Sequence, residues 1–327
     1  MARAQAPTFA HQVEYALFKG VERVLSAFPL ATVQAFGRGL GLLFYAVDGR
    51  HRRVVRDNLR AADLDPRWIG DEKAIRELTR ACFSHFGETF ISAIPLMHLE
   101  PEELDRVVIV EGLEHFDAVR AAGKGFIQLT GHYGNWEAVA LAQSRHGRSL
   151  AVIARELKNP LLQPYLDRFR TRFGNQVIPK DGAVRDTVKA LRSGKGVGFL
   201  LDQDALTMGL FVAFLGRWAS TFATAGSMAV RFKAPILPVF SWPNGDGTTT
   251  VRFSPPFEVP QTGDPERDAW VATQLMTQCV EAQIRKDPRW WFWMHRRFKT
   301  QPTEHHPLPP QEWVESLIAL GSLPDRG

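Results

Sequence analysis

Cysteine is scarce in this sequence of 327 residues, which contains only Cys82 and Cys279. Neither belongs to a C-x-x-C pair, so a disulfide-rich scaffold and a cysteine zinc site are both excluded. We expect a reduced compartment, in which both thiols act as small hydrophobic core residues.

Long uncharged hydrophobic runs are also missing. Residues 25–47 are mostly apolar, but Pro29, Arg38 and three glycines interrupt them. The longest charge-free pieces fall short of the roughly 20 apolar residues of a spanning helix. The segment therefore predicts an interfacial hairpin or amphipathic anchor, with two helices that cap the core as the alternative. The upstream residues that share one helical face are Val13, Leu17, Val21, Val24 and Phe28.

Several catalytic motifs are absent as well. The sequence has no G-x-S-x-G nucleophile turn, no H-E-x-x-H zinc motif and no phosphate-binding P-loop. His305 and His306 lie in a proline-rich segment with no third ligand at a suitable spacing. We therefore predict neither a metal site nor a cofactor.

Positive charge is present and unevenly distributed. The net charge is +5, yet residues 48–60 carry +3, residues 155–180 carry +4 and residues 285–299 carry +5. Such patches indicate an anionic partner, which could be phospholipid, an acidic carrier protein or nucleic acid. Solvated helix faces are the alternative. No nucleic-acid-binding motif accompanies the patches, so we predict no nucleic-acid partner.

Short apolar segments alternate with helical patterns from about residue 106 onward. This pattern predicts an α/β fold with a mixed, largely parallel central sheet flanked by helices, preceded by an N-terminal helical membrane anchor. We divide the chain into membrane-associating helices (1–60), a catalytic domain (61–300) and a proline-rich linker with a C-terminal helix (301–327). The predicted strands are 107–110, 125–130, 150–154, 177–179, 197–201, 236–242 and 248–253.

The segment GFIQLTGHYGNWE (125–137) is the most informative stretch. It predicts a buried strand, a glycine-rich turn that contains His132, and a helix capped by Asn135. His132 then lies at the carboxyl end of a strand, where open α/β sheets bind ligands. Glu137, in the first helical turn, can accept a hydrogen bond from one imidazole nitrogen. The other nitrogen is left as a general base with a pKa near its reference value of about 6.5.

Other charged residues also follow strands. Arg155 and Asp202 end two of the predicted strands and should lie near His132 if the sheet is parallel. They are candidates for substrate binding, with a structural Arg–Asp pair as the alternative. Arg296 and Arg297 lie among tryptophans and are candidates for binding lipid phosphates, or they form the solvated edge of an aromatic cluster. We also regard the cap residue Asn135 as a substrate-binding candidate.

The segment GHYGNWE resembles the H-x-x-x-x-D/E signature of the lysophospholipid acyltransferase superfamily. Its glutamate is typical of the lipid A late acyltransferases, which are lauroyl and myristoyl transferases. The resemblance extends over most of the chain. The further segments that resemble this family are RRVVRDNL (52–59), IARELKNP (153–160), RTRFG (170–174), VGFLLDQD (197–204), residues 211–240 and WFWMHRRFKT (291–300).

The resemblance implies an enzyme that moves a fatty acyl chain to a hydroxyl of a glycolipid, most simply a lipid A precursor. The donor would be acyl carrier protein or, alternatively, acyl-CoA. His132 would act as the general base and Glu137 would orient it, and main-chain amides between Gly131 and Asn135 would stabilise the oxyanion. The expected location is the cytoplasmic face of the inner membrane, in contact with membrane lipids, as a peripheral, monotopic or singly anchored protein.

Two kinds of alternative remain open at this point. Within enzymes, the same signature would fit a phosphatidylinositol mannoside acyltransferase or a lysophospholipid acyltransferase. In a different class, the chain would be a non-catalytic lipid-binding membrane protein. The presence of both His132 and Glu137 argues against the non-catalytic alternative.

Overall fold

A seven-stranded mixed sheet lies at the centre of the computed structural model, which describes residues 6–154, 156–180 and 182–319. The strands are β1 (Val108–Glu111), β2 (Phe126–Thr130), β3 (Ala151–Ala154), β4 (Gln176–Pro179), β5 (Gly196–Leu200), β6 (Leu210–Phe214), β7 (Arg217–Thr221), β8 (Ile236–Pro243) and β9 (Thr249–Phe253). The order in the sheet is β1-β9-β8-β2-β5-β3-β4, while β6 and β7 form a separate hairpin. All neighbours in the sheet run parallel except β8 and β9, which run antiparallel.

Helices flank the sheet, and in the described part of the chain six further helices precede its first strand. They are α1 (Phe9–Leu25), α2 (Leu30–Val47), α3 (Gly49–Ala61), α4 (Pro66–Ile69), α5 (Glu72–Leu96), α6 (Pro101–Val107), α7 (Leu113–Ala121), α8 (Trp136–Arg145), α9 (Gln163–Thr171), α10 (Ala183–Arg192), α11 (Thr224–Phe232), α12 (Pro265–Lys286) and α13 (Gln311–Ala319). Side chains cap several helix starts; Asp71 accepts a hydrogen bond at α5 and Asp264 at α12.

The predicted fold class is confirmed. Each of the seven predicted strands is present, with ends that differ from the prediction by at most one residue. Every residue of β2 is buried, because helices cover both faces of a largely parallel sheet. That burial explains why β2 reads as a nearly continuous apolar run rather than as an alternating pattern.

The sequence pattern did not predict the β6–β7 hairpin. Its two-residue loop consists of Leu215 and Gly216, which both have positive φ, at 50° and 76°. Hairpin loops of this kind favour Asn-Gly or Asp-Gly, so a Leu-Gly pair gives no turn signal. Leu215 is fully buried, and this packing compensates for its unfavourable backbone conformation.

Helix α2 is long and apolar enough to cross a membrane by length and composition, but one of its faces packs closely against α5. A Cβ atom at Gly41 would overlap the carbonyl oxygen of Phe83, and one at Gly37 would lie 2.7 Å from that of Gly87. Arg38 also pairs with Glu88 of α5 at 3.2 Å. The helix is therefore fixed to α5 along one face.

The opposite face of α1 and α2 is apolar and exposed. Ten of the 17 exposed large hydrophobic side chains among the described residues lie within residues 9–47, a concentration that indicates a surface for contact with lipid or another apolar partner. The five residues predicted to share one helical face are all among them, although Phe28 lies after the end of α1. The described residues of this segment thus form a surface that is docked on one side and apolar on the other.

Candidate active site

His132 lies in the turn that connects β2 to α8. The turn requires glycine at position 134, where φ is 58° and a Cβ atom would overlap the carbonyl oxygen of Ser241. Asn135 caps α8 as predicted, since its side chain accepts a hydrogen bond from the amide of Ala138 at 3.1 Å. The helix start and the glycine turn together fix the backbone of His132.

A second segment holds this turn from the other side. The amide of Gly134 donates to the carbonyl of Trp290 at 2.8 Å, and the amide of Phe292 donates to the carbonyl of His132 at 3.0 Å. The tryptophan-rich segment near the C-terminus therefore supports the backbone of the candidate site directly.

Asp202 is the hydrogen-bond partner of the imidazole. Strands β2 and β5 pair with Thr130 opposite Leu200, so that the residues two positions further on, His132 and Asp202, leave the sheet side by side. Nδ1 of His132 lies 2.8 Å from Oδ1 of Asp202, and the main-chain amide of His132 donates to Oδ2 at 2.6 Å. Gly131 allows this approach, because a Cβ atom there would lie 2.9 Å from Oδ2.

The carboxylate of Asp202 is buried but well supplied with donors. Besides the two bonds from His132, it accepts a bond from the indole nitrogen of Trp291 at 2.7 Å. Burial alone would raise the pKa of Asp202, but the charge and hydrogen bonds of His132 and the indole of Trp291 lower this pKa to about 2. Asp202 is therefore ionised, and Nδ1 of His132 carries the hydrogen that it accepts.

The other ring nitrogen of His132 is directed toward the solvent side. Nε2 lies 3.3 Å from the side-chain amide nitrogen of Gln203, which can donate to it, and the His132 side chain is 18% exposed. Burial opposes protonation of the ring, but the charge and hydrogen bond of Asp202, with a smaller contribution from the charge of Glu137, raise the pKa of His132 above its usual value. The free nitrogen is thus a stronger base than that of an isolated imidazole.

Glu137 does not occupy the predicted position. Its two carboxylate oxygens bind the guanidinium of Arg170 on α9, at 2.5 and 3.2 Å. Asp202 instead accepts the hydrogen bond from the imidazole that we predicted for Glu137. Five residues along a turn and helix start leave the Glu137 side chain on another side of His132, from which its charge still raises the pKa of the ring. Arg170 was missed as a site residue, although it lies within the RTRFG segment.

The remaining predicted site residues fall in three different environments. Arg297 is fully buried and donates to the carbonyls of Gln203 and Ser220, so the prediction that it binds lipid phosphate is wrong. Burial lowers the pKa of Arg297 to about 10, which leaves it protonated beside the loop that carries Asp202. Arg296 is exposed, as a phosphate ligand would need to be. Arg155 lies outside the described residues.

Aromatic rings line one side of the candidate site. The ring centroids of Trp136 and Phe292 lie 5.0 and 6.3 Å from that of His132. Phe86 and Phe90 of α5 extend this wall, with Phe90 lying 6.0 Å from Trp136 and 6.4 Å from Phe292. Phe90 is about half exposed, so the wall runs from His132 to the protein surface beside the helix on which α2 docks.

Two of the amides that we predicted as oxyanion donors are already occupied. The His132 amide binds Asp202 and the Gly134 amide binds Trp290.

Within residues 6–154, 156–180 and 182–319, no group of three or more His, Cys, Asp or Glu side chains is arranged to hold a metal ion.

A histidine held by a buried carboxylate, at the carboxyl edge of a mostly parallel sheet, places the chain among the α/β enzymes. A sequence model of the bacterial lipid A biosynthesis acyltransferase family matches residues 4–300. The chain therefore belongs to this family of acyltransferases.

Individual relatives are distant in sequence. The phosphatidylinositol mannoside acyltransferase of Mycobacterium tuberculosis is 31% identical over 150 residues, which are 44% of this chain and only 46% of that protein. The protein of the same name from Mycolicibacterium smegmatis is 22% identical and is covered over 90% of both chains. The lipid A biosynthesis lauroyltransferase of Escherichia coli is 24% identical, over 86% of this chain and 90% of that protein.

Proposed function

We propose that this protein transfers a fatty acyl group from a thioester to a hydroxyl of a glycolipid, with His132 as the general base. The contact between His132 and Asp202 carries the proposal, because it fixes the tautomer and leaves Nε2 unprotonated and able to accept a proton. The acceptor oxygen loses its proton to Nε2 and attacks the thioester carbonyl. The carbon–sulfur bond then breaks, and the proton passes from His132 to the departing thiolate.

Asp202 acts in this scheme as a positioning residue that also stabilises the imidazolium. Glu137 adds a second negative charge near the ring, and its ion pair with Arg170 holds it there. Asp202 stays ionised while His132 gains a proton, and the negative charges of Asp202 and Glu137 both stabilise the imidazolium. This division replaces the direct hydrogen bond that we first expected between Glu137 and His132.

Oxyanion stabilisation requires donors near the attacked carbonyl. We assign this role to the main-chain amides of Tyr133 and Asn135, since those of His132 and Gly134 already have acceptors. The N-terminus of α8 adds a favourable dipole at the same place. The side-chain amide of Gln203, 3.3 Å from Nε2, is a further donor close to the reacting atoms.

The acyl chain would lie along the aromatic wall formed by Phe90, Trp136 and Phe292, which buried Phe86 supports from behind. Such a surface suits an alkyl chain, because the free energy of binding becomes more favourable in proportion to the apolar area that is removed from water. The exposed end of the wall lies on α5, the helix on which α2 packs. A lipid substrate could thus enter from the side that faces a membrane.

The protein would bind the cytoplasmic face of the inner membrane as a monotopic protein, through the exposed face of α1 and α2. The docking of α2 on α5 supports this orientation over a helix that crosses the bilayer alone. Changing Leu17 and Phe44, which are 66% and 53% exposed, to Asp should release the protein from membranes without unfolding it. Continued membrane association of this double variant would contradict the monotopic proposal.

Acyl carrier protein is the proposed donor, with acyl-CoA as the alternative, and a lipid A precursor is the proposed acceptor. A phosphatidylinositol mannoside is the second candidate acceptor, favoured by the similarity to the two mycobacterial enzymes. The test is thioester consumption by the purified protein with each acceptor, followed by mass spectrometry of the product. A variant with His132→Ala is the control. Lipid binding without thioester consumption would favour the non-catalytic alternative.

A further inference from the structure

An open cleft of about 540 Å³ lies between α3, the start of β7 and residues 296–299. Five cationic side chains from three parts of the sequence line it: Arg50, Arg53, Arg217, Arg296 and Lys299. Asp57 is the acidic residue in the lining, and it lies 3.4 Å from Arg60 outside the cleft. The cleft therefore has a large excess of positive charge.

The five cations of the cleft lack carboxylate partners in the part of the chain that the structure describes. Within the described residues, none of the five forms an ion pair with Asp or Glu, whereas ten other arginines do. Two arginines of α3 donate hydrogen bonds to α2, and two others line the cleft. Arg52 donates to the last carbonyls of α2 and Arg56 to the hydroxyl of Tyr45, while Arg50 and Arg53 line the cleft. Unpaired cations gathered in a concave site favour an anionic ligand.

The cleft lies next to the apolar surface of α2. Val47, which is 70% exposed, ends α2, and Arg50 follows three residues later. A bound anion would therefore sit at the level of lipid head groups when the exposed face of α2 contacts a membrane. An acidic protein partner has no comparable reason to be next to this apolar face.

Hydrogen bonds link the lining of this cleft to the chain segment that supports the candidate active site. The side chain of Asn58 in its lining donates to the carbonyls of Trp293 and His295. Arg296 follows Phe292 by four residues, which span at most about 14 Å when fully extended. Since the ring of Phe292 lies against His132, one lipid head group could contact both places.

We propose that this cleft binds a phosphate group of the lipid acceptor and so places its hydroxyl at His132. Phosphate binding by the cleft does not depend on the proposed acyl transfer. That the bound lipid is the acceptor and presents its hydroxyl to His132 rests on that proposed function. A phosphate monoester carries about −1.5 to −2 charges and three acceptor oxygens, which planar guanidinium groups bind in pairs of hydrogen bonds. Arg217 is already oriented for this task, because its guanidinium carbon stacks 4.5 Å from the ring centre of Phe298.

The binding test uses the full-length protein and phosphatidylcholine vesicles that contain either phosphatidic acid or phosphatidylglycerol, at equal surface charge. A double variant with Arg53→Gln and Arg296→Gln should bind the phosphatidic acid vesicles roughly 100-fold more weakly, at about tenfold for each lost charge-assisted contact. Its binding to the phosphatidylglycerol vesicles should fall by clearly less. The matched control is Lys124→Gln with Lys195→Gln, which removes two exposed charges before β2 and β5. The control should bind like the wild type.

Two results would overturn the proposal. Equal losses for both vesicle types would mean that the cleft only senses membrane charge, without recognising the phosphate monoester. A loss of binding to acyl carrier protein, with unchanged binding to phosphatidic acid vesicles, would mean that the cleft serves an acidic protein. A variant with His132→Ala should keep vesicle binding even if it has no activity. This control separates failure of the cleft proposal from failure of the acyl-transfer proposal.

Discussion

Two carboxylates lie near His132, one at the end of β5 and one in the first turn of α8, and their environments differ. Asp202 is buried, accepts three hydrogen bonds and contacts the imidazole directly. Glu137 is a quarter exposed and binds Arg170 instead. Distance along the chain is therefore a poor guide to which carboxylate orients the base. Asp202 is 70 residues away, yet strand pairing places it beside His132.

The difference predicts different consequences for the two groups. A buried carboxylate in direct contact controls the tautomer and the basicity of the imidazole, whereas a more exposed one contributes a weaker electrostatic effect that water partly screens. The substitutions below test this division, starting with the base itself.

Replacement of His132 by Ala should give the largest effect, since it removes the only group in the proposal that moves a proton. We expect loss of acyl transfer to below detection, measured as thioester consumption, with an unchanged melting temperature and unchanged vesicle binding. Turnover near that of the wild type would show that another group acts as the base, and the comparison of the two carboxylates would then lose its basis.

Replacement of Asp202 by Asn should lower kcat by about 10³- to 10⁴-fold, as loss of the carboxylate does in other His–Asp pairs. The pH profile provides a second readout. In the wild type His132 must be neutral to act, so activity should rise with pH through a pKa above the usual histidine value. Without the Asp202 charge, burial dominates and this kinetic pKa should fall. The variant should therefore lose less of its own maximal activity at acidic pH.

Asp202→Asn could also disturb folding, because three donors converge on the carboxylate. Trp291→Phe is the milder companion, since it removes one donor and leaves the contact with His132 in place. It should lower kcat by less than Asp202→Asn and should leave the kinetic pKa above the usual histidine value. An unchanged pH profile in folded Asp202→Asn would contradict the assignment of Asp202 as the positioning residue.

Replacement of Glu137 by Gln should lower kcat by about 100-fold, less than Asp202→Asn, because the hydrogen bond at Nδ1 remains. Glu137→Asp keeps the charge and should retain more activity. Arg170→Gln is the informative partner. If Arg170 acts only by holding Glu137, the double variant should be no slower than Glu137→Gln alone. A larger loss for Glu137→Gln than for Asp202→Asn would reverse the roles of the two carboxylates.

The same contrast explains how far the sequence could predict the site. His132 and the capping role of Asn135 follow from a local pattern of strand, glycine turn and helix start. Asp202 was found as a residue at a strand end, but its contact with His132 depends on β2 and β5 being neighbours in register, which no local pattern encodes. The burial of Arg297 and the pair between Glu137 and Arg170 likewise depend on packing between distant segments.

The fold was more predictable than the site for a related reason. Alternating apolar strands and helices are local signals, and the seven strands of the sheet followed from them. The β6–β7 hairpin was not predicted, because its turn contains Leu215 at positive φ. Burial of the Leu215 side chain stabilises this conformation, which the residue preferences of turns do not predict. The contacts of the candidate site and the β6–β7 turn were thus missed for the same reason: packing between distant segments overrides the local sequence preference.

The smallest predicted effect concerns the donor and lies farthest from the two carboxylates. Arg168 on α9 is exposed and, among the described residues, forms no ion pair with a carboxylate. Arg289 is paired with Asp287 at 2.5 Å. Arg168 is therefore the better candidate for attracting an acidic partner. Arg168→Glu should raise KM for an acyl carrier protein donor a few-fold, leave kcat unchanged and hardly alter KM for acyl-CoA.

The effect of Arg168→Glu should shrink as salt is added, because exposed charges are screened over about 8 Å at physiological ionic strength. Lys124→Glu, at the amino-terminal edge of β2, is the matched charge reversal and should change neither donor's KM. Equal effects of Arg168→Glu on both donors, together with weaker vesicle binding, would assign this patch to lipid rather than to the carrier protein. That outcome would leave the division between Asp202 and Glu137 intact, since neither carboxylate takes part in donor capture.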